Sequence, residues 1–142
     1  MPALMKSMNI ISRAQSQYRT KKLGILPACH HSLVLAICRE PSRSQDELAR
    51  DICLNKSTVA RSLDRLEAEG YVTRYISNTD KRRTLVDPTE KLLELLPEVR
   101  EVTADWNKLI SADIPEADLA VFSAVLERME KSAKEAIERL GE

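Results

Sequence analysis

Glycine, histidine and aromatic residues are scarce in this chain, and each shortage removes a class of chemistry. Three glycines in 142 residues leave no Gly-rich phosphate loop and no Gly-x-Ser-x-Gly nucleophile turn. The two histidines, His30 and His31, are adjacent, so on a helix they point about 100° apart, and no further histidine completes a closed tetrahedral site. An enzyme is therefore not expected, nor a cofactor or a bound metal. No apolar run approaches membrane-spanning length and the N-terminus lacks the apolar core of a secretory signal, so no membrane association and a cytoplasmic location are expected.

Net charge is also missing, with 22 Lys and Arg against 22 Asp and Glu. Its distribution matters more than its sum. Residues 1–89 carry a net +6 and residues 90–142 a net −6, so attraction for a polyanion is confined to one part of the chain. A hydrophobic content of 43% in 142 residues is one domain's worth, enough for a modest core.

Among the residues present, Ser44-Gln45-Asp46-Glu47 reads as a capping box that starts a helix near Gln45. Leu48, Ala49 and Ile52 form its apolar stripe. A turn at Cys53-Leu54-Asn55 follows, with Asn55 as N-cap of a second helix over residues 56–69 and Gly70 placed to end it in the left-handed conformation. Such a pair is a helix-turn-helix. On the second helix Val59, Leu63 and Leu66 cluster on one side, and Ser57, Arg61, Asp64, Arg65 and Ala68 fall opposite. That outward face offers small residues for close approach, hydroxyls for phosphates and arginine for guanine edges. The plain alternative is a solvated face with Arg61 and Arg65 paired to Asp64 or Glu69.

The next stretch favours the first reading. Residues 71–76 read as a strand, residues 84–86 as its return, and the loop between them carries Lys81-Arg82-Arg83. Such a tip can place an arginine in a minor groove. Asp80 would repel phosphate, which points to an internal role in holding Arg82, or a neighbouring Arg, by a bidentate pair.

The runs Gln45-Asp46-Glu47-Leu48-Ala49, Asn55-Lys56-Ser57-Thr58-Val59, Leu63-Asp64-Arg65-Leu66-Glu67, Gly70-Tyr71-Val72, Asp80-Lys81-Arg82-Arg83 and Pro88-Thr89-Glu90-Lys91 resemble winged-helix regulators of the multiple-antibiotic-resistance regulator (MarR) family over residues 25–91. The resemblance implies that the helix beginning at Lys56 is the recognition helix and that Asp80 with Arg82 matches the Asp-x-Arg motif of the wing. It also implies a homodimer, a palindromic operator on double-stranded DNA, and repression relieved by a small ligand or an oxidant.

The expected fold is mainly α with a small β-wing, in one domain over residues 1–142, with a winged helix-turn-helix core at 25–91 and N- and C-terminal dimerisation helices at 1–24 and 92–142. Leu92, Leu95, Leu96, Val99, Val102, Trp106, Leu109 and Ile110 mark one apolar stripe, and Leu119, Phe122, Leu126, Met129, Ala133, Ile137 and Leu140 another. Pro97 is expected to kink the first of these helices. Packing of the two stripes against each other within one chain is the alternative to dimerisation.

The expected DNA contacts are Ser44, Lys56, Ser57, Thr58, Arg61, Arg65, Arg74, Asp80, Lys81, Arg82 and Arg83. Cys38 and Cys53 are expected to be structural residues on amphipathic helices. Cys29 follows Pro27 at a helix start, where the dipole and a neighbouring imidazole could lower its pKa, so thiol-redox sensing through Cys29 is an alternative. In the resembling family, aromatic ligands bind in a cleft between the first two helices, which makes Cys29, His30 and His31 candidates for holding a small aromatic or phenolic effector. A winged helix used for protein contacts is the remaining alternative.

Overall fold

A Schellman motif ends each helix of the helix-turn-helix, and the two differ in the residue that takes the strained position. The computed structural model describes residues 2–24 and 29–141, with the side chains of Pro2, Cys29 and His30 outside that description. Its elements are α1 (Pro2–Leu23), α2 (Cys29–Arg39), β1 (Arg43–Ser44), α3 (Gln45–Asp51), α4 (Lys56–Ala68), β2 (Val72–Ile76), β3 (Thr84–Pro88), α5 (Glu90–Ser111) and α6 (Glu116–Leu140).

Helix α3 starts on the expected capping box, in which Ser44 Oγ accepts from the Glu47 amide and Glu47 Oε2 accepts from the Ser44 amide, both at 3.1 Å. At its end the Leu54 amide returns to the Ala49 carbonyl and the Cys53 amide to Arg50, which puts Cys53 at φ 53. Helix α4 starts at Asn55, whose Oδ1 accepts from the Thr58 amide at 2.7 Å. It ends with Tyr71 returning to Leu66 and Gly70 to Glu67, Gly70 being at φ 82. Glycine suits that conformation; cysteine does not. Cys53 thus lies in the expected turn and is exposed, which corrects only the expectation of a structural residue on an amphipathic helix.

The expected hairpin is present, β2 and β3 pairing antiparallel from Val72↔Pro88 to Ile76↔Thr84. The structure adds β1, which pairs Arg43 with Val86 and Ser44 with Leu85 and makes a three-stranded sheet in the order β1-β3-β2. Two residues show no alternation, so the sequence carries no signal for this strand.

The chain divides into two compact units, residues 1–106 and 107–142. The core of the first gathers Leu33, Val34 and Ile37 of α2, Leu48 and Ala49 of α3, Val59, Leu63 and Leu66 of α4, Tyr71, Val72 and Val86 of the sheet region, and Leu92, Val99 and Val102 of α5, with Leu23 of α1. The packed unit is therefore wider than 25–91, because α1 and the first turns of α5 contribute to it. Helix α5 runs from Glu90 to Ser111 with Pro97 inside. Pro97 removes the donor for the Leu93 carbonyl, and both residues face solvent, where water can replace it. In the second unit α6 has no buried residue. Phe122, Val125, Ile137 and Leu140 of its apolar stripe or beside it are exposed. Among the described residues no helix is long and apolar enough to cross a membrane.

Candidate nucleic-acid interface

The first turn of α4 presents its backbone and hydroxyls outward, but its side chains are already engaged with one another. Asn55 takes the Thr58 amide, and the amides of Lys56 and Ser57 have no partner among the described residues. Ser57 Oγ donates to Asn55 Oδ1 at 2.9 Å, so a phosphate contact would require that hydroxyl to turn. Lys56 faces Asp46 across 3.3 Å with both side chains largely solvated, a pair worth about 0–1 kcal/mol.

The arginines divide into two groups. Arg61 is exposed and, among the described residues, its side chain meets only Thr58 Oγ1, at 3.5 Å, too long for a strong bond. Arg65 makes the pair that an ordinary solvated helix face would make, Nε to Glu69 Oε1 at 3.1 Å. Arg74, expected at DNA, is instead turned inward. Its guanidinium donates to Gln45 Oε1 at 3.1 Å, Asp64 Oδ1 at 2.6 Å and Glu67 Oε1 at 3.1 Å, and its amide to Glu67 Oε2 at 3.0 Å. Strand β2 is thereby tied to both helices of the helix-turn-helix. The hydrogen bond from Arg74 holds the Glu67 carboxyl below the usual glutamate range, and the same bond raises Arg74.

The wing loop has its own scaffold. Ser77 is buried, and its Oγ accepts from the Thr79 and Asp80 amides, both at 3.3 Å. The ends of the loop close through Ser77 N to Arg83 O at 2.9 Å and Arg83 N to Asp80 O at 3.0 Å. Asp80 Oδ1 accepts from the Arg82 amide at 3.1 Å and from Arg82 Nε at 3.2 Å. That side-chain bond, with the backbone bond next, keeps the Asp80 carboxyl below its usual range. The Arg82 side chain nonetheless stays 91% exposed, oriented at its base and projecting into solvent. Arg83 docks back onto Glu47 in the first turn of α3. Lys81 is exposed.

Ser44 is buried in its capping box, and its hydroxyl serves α3. His31 is fully buried in the first unit and lines no open cleft. The side chains of Cys29 and His30 lie outside the described residues, as does Pro27. Cys38 is half-buried, and burial raises its thiol pKa against the opposing pull of Arg100.

Sequence reasoning passed over Gln45, Asp64 and Glu67 as partners of Arg74, and Glu47 as partner of Arg83. A signal was available, since Asp64 and Glu67 are carboxylates on a helix expected to approach phosphate, the same oddity that singled out Asp80. Arg19 was missed as well. It lies on α1, is 8% exposed, and no acceptor among the described residues meets its Nε; burial lowers its pKa. The neighbouring Tyr18 ring lies 5.5 Å from that of Trp106, centroid to centroid.

Comparison with known proteins agrees with this architecture. The model for the MarR family matches residues 28–84. A MarR transcriptional regulator from Methanosarcina mazei Go1 superposes with a TM-score of 0.90 at 22% identity, covering 96% of this chain and 99% of its own. The crystal structure of a MarR protein superposes with a TM-score of 0.80 at 30% identity, covering 92% of this chain and 96% of its own. A mutant MarR from E. coli, complexed with operator DNA, has a TM-score of 0.80 at 18% identity, covering 89% of this chain and 93% of its own. With the capped helix-turn-helix, the three-stranded sheet and the Asp80–Arg82 wing in place, the chain belongs to the MarR family of winged-helix transcriptional regulators.

Proposed function

We propose that this chain is a sequence-specific double-stranded DNA-binding repressor of the cytoplasm that acts as a homodimer on a palindromic operator. The observation that carries the reading is the division among its arginines. Internal carboxylates hold Arg74 and Arg83 to the scaffold, while Arg61 on the outward face of α4 and Arg82 at the wing tip are left projecting. Two arginines held to the scaffold position two that project from it, as base-edge and minor-groove contacts require. The E. coli relative complexed with operator DNA supports the same use of the fold here.

In this reading Arg61 reads a base edge, Arg65 reads or flanks one after exchanging Glu69 for DNA, and Lys56, Ser57, Thr58 and Lys81 meet phosphate. Arg82 enters the minor groove with Asp80 as its buttress. Ser44, Arg74 and Arg83 act from inside by fixing the helix start and the wing. Dimerisation is supported by the exposed apolar face of α6, since a helix with that much uncovered apolar surface calls for a partner. Two recognition helices would then meet successive major grooves about 34 Å apart.

An effector is favoured by α1. A buried guanidinium with an unsatisfied Nε, adjacent in sequence to a Tyr–Trp ring pair, suits a small aromatic anion or phenolate. Trp106 is the only tryptophan of the chain, so its fluorescence reports on that region. Titration with a panel of aromatic carboxylates and phenols should quench it and release DNA, and Arg19→Gln should abolish both responses.

The experiment that tests the main reading is selection of bound duplexes from a random pool by the purified protein. An enriched inverted repeat with half-sites about one helical turn apart is expected. Weak, salt-sensitive binding without enrichment, in protein freed of any effector by refolding, would favour a winged helix that contacts other proteins.

A further inference from the structure

The C-terminus of the recognition helix is bolted to the start of α5 by residues that belong to neither the DNA-facing surface nor the hydrophobic core. The Schellman motif of α4 uses the Leu66 and Glu67 carbonyls and leaves Glu69 O without an amide donor. Lys91, in the first turn of α5, supplies a donor instead, its Nζ lying 2.7 Å from Glu69 O. Its ammonium also lies 4.4 Å from the centroid of the buried Tyr71 ring, and it stands where a positive charge favours the negative end of the α4 dipole.

Thr89 makes the second attachment. Its Oγ1 lies 2.6 Å from Gly70 O and 3.0 Å from Tyr71 O, its amide donates to Tyr71 O at 3.0 Å, and the same Oγ1 accepts from the Leu92 amide at 3.4 Å to cap α5. The Lys91 stem passes beside Gly70, its Cδ lying 3.9 Å from where a Cβ would stand, at ordinary contact distance.

We propose that Lys91 and Thr89 are positioning residues that lock the direction of α4 to that of α5, and so set which half-site spacing the regulator accepts. The inference rests on the dimeric DNA-binding reading above. A helix free to pivot about Gly70 could follow a half-site displaced along the duplex. Thr89 anchors the Gly70 and Tyr71 carbonyls on the far side of that pivot, and α4 cannot turn about it without breaking the Lys91 bond to the Glu69 carbonyl, so a wrong spacing carries a cost.

The test compares wild type with Lys91→Met, which keeps the stem over Tyr71 and removes the donor, and Lys91→Arg, which restores a cation and donors. Each is titrated against the duplex selected from the random pool, against versions with one base pair inserted or deleted between half-sites, and against a single half-site. Wild type should prefer the native spacing by about tenfold and Lys91→Met by under about threefold, couplings of ordinary size, with half-site affinity unchanged and Lys91→Arg near wild type. Full spacing preference in Lys91→Met overturns the proposal, as does an equal loss on every duplex, which would mark a merely structural residue. Should Lys91→Met fail to fold, Thr89→Val is held to the same two criteria. A wild type indifferent to spacing refutes the dimeric reading itself, and this inference with it, before any variant is compared.

Discussion

Arg83 in the wing is bonded to Glu47 in the first turn of α3, 36 residues earlier in the chain. The same Glu47 carboxylate closes the capping box on Ser44, so one side chain both starts a helix and docks the wing. Removing it should cost more than removing Arg83. Glu47→Ala is expected to lower unfolding stability by about 0.5–1.5 kcal/mol through the lost carboxylate half of the capping box, the bond from the backbone amide at 47 to Ser44 Oγ remaining, and Arg83→Ala by under about 1 kcal/mol, because the pair is half-exposed. Urea unfolding of both variants and the double mutant checks the order; equal losses would deny Glu47 its double part.

Cys53 and Gly70 occupy the same place in two copies of one motif, and their exchange should have opposite signs. Cys53→Gly should stabilise the protein by about 0.5–1 kcal/mol, the relief of a left-handed non-glycine less the added entropy of the unfolded chain. Gly70→Ala should destabilise it by about 1 kcal/mol, for the same reason reversed. Thermal unfolding decides, and a destabilising Cys53→Gly would mean that the weak bond from Cys53 Sγ to the Arg50 carbonyl, at 3.8 Å, outweighs the strain.

Glu67 gives the wing a dependence on acid. Its folded pKa is depressed, chiefly by the hydrogen bond from Arg74, so its contribution is complete above the ordinary glutamate value and is lost as pH falls through the folded value. With 41% of the side chain exposed, the contribution is screened and amounts to under about 1 kcal/mol. Glu67→Gln should be less stable than wild type at neutral pH, and the difference should begin to shrink as pH falls below the ordinary glutamate value of about 4.3 and vanish below the lower, folded one. A difference that persists undiminished into acid would assign the effect to packing.

The helix-turn-helix was legible because its signals are local, namely a capping box at Ser44, an N-cap at Asn55, a glycine at position 70 and a buried stripe at Val59, Leu63 and Leu66. The Asp80–Arg82 pair was legible because two residues suffice to make it and a carboxylate beside phosphates demands a reason. What escaped was non-local. Arg74 looked like another cation for DNA, since nothing in the sequence places Gln45, Asp64 and Glu67 around it. Lys91 had no assigned role, because its acceptor, the Glu69 carbonyl, exists only once α4 has ended. The turn at Cys53-Leu54-Asn55 was legible, but the left-handed conformation of Cys53 was not, because a left-handed cysteine carries no mark of its own.

The exposed apolar face of α6 predicts an oligomer that charge should undo. Phe122 is 52% exposed on a helix with no buried residue, so Phe122→Glu costs no core packing in the single chain. Sedimentation at micromolar concentration should find a dimer for wild type and a monomer for the variant, with helical content kept. A variant of unchanged mass would move the interface elsewhere.

The most direct test of the outward α4 face as the reader of sequence is a titration of wild type, Arg61→Ala and Lys81→Ala on the selected operator and on scrambled DNA at two salt concentrations. Arg61→Ala should lose about 1–3 kcal/mol on the operator, little on scrambled DNA, and relax base choice at one position, whereas Lys81→Ala should weaken both alike and lower the salt slope by about one. Equal losses for Arg61→Ala on the two duplexes would contradict base reading and leave α4 a phosphate-binding helix.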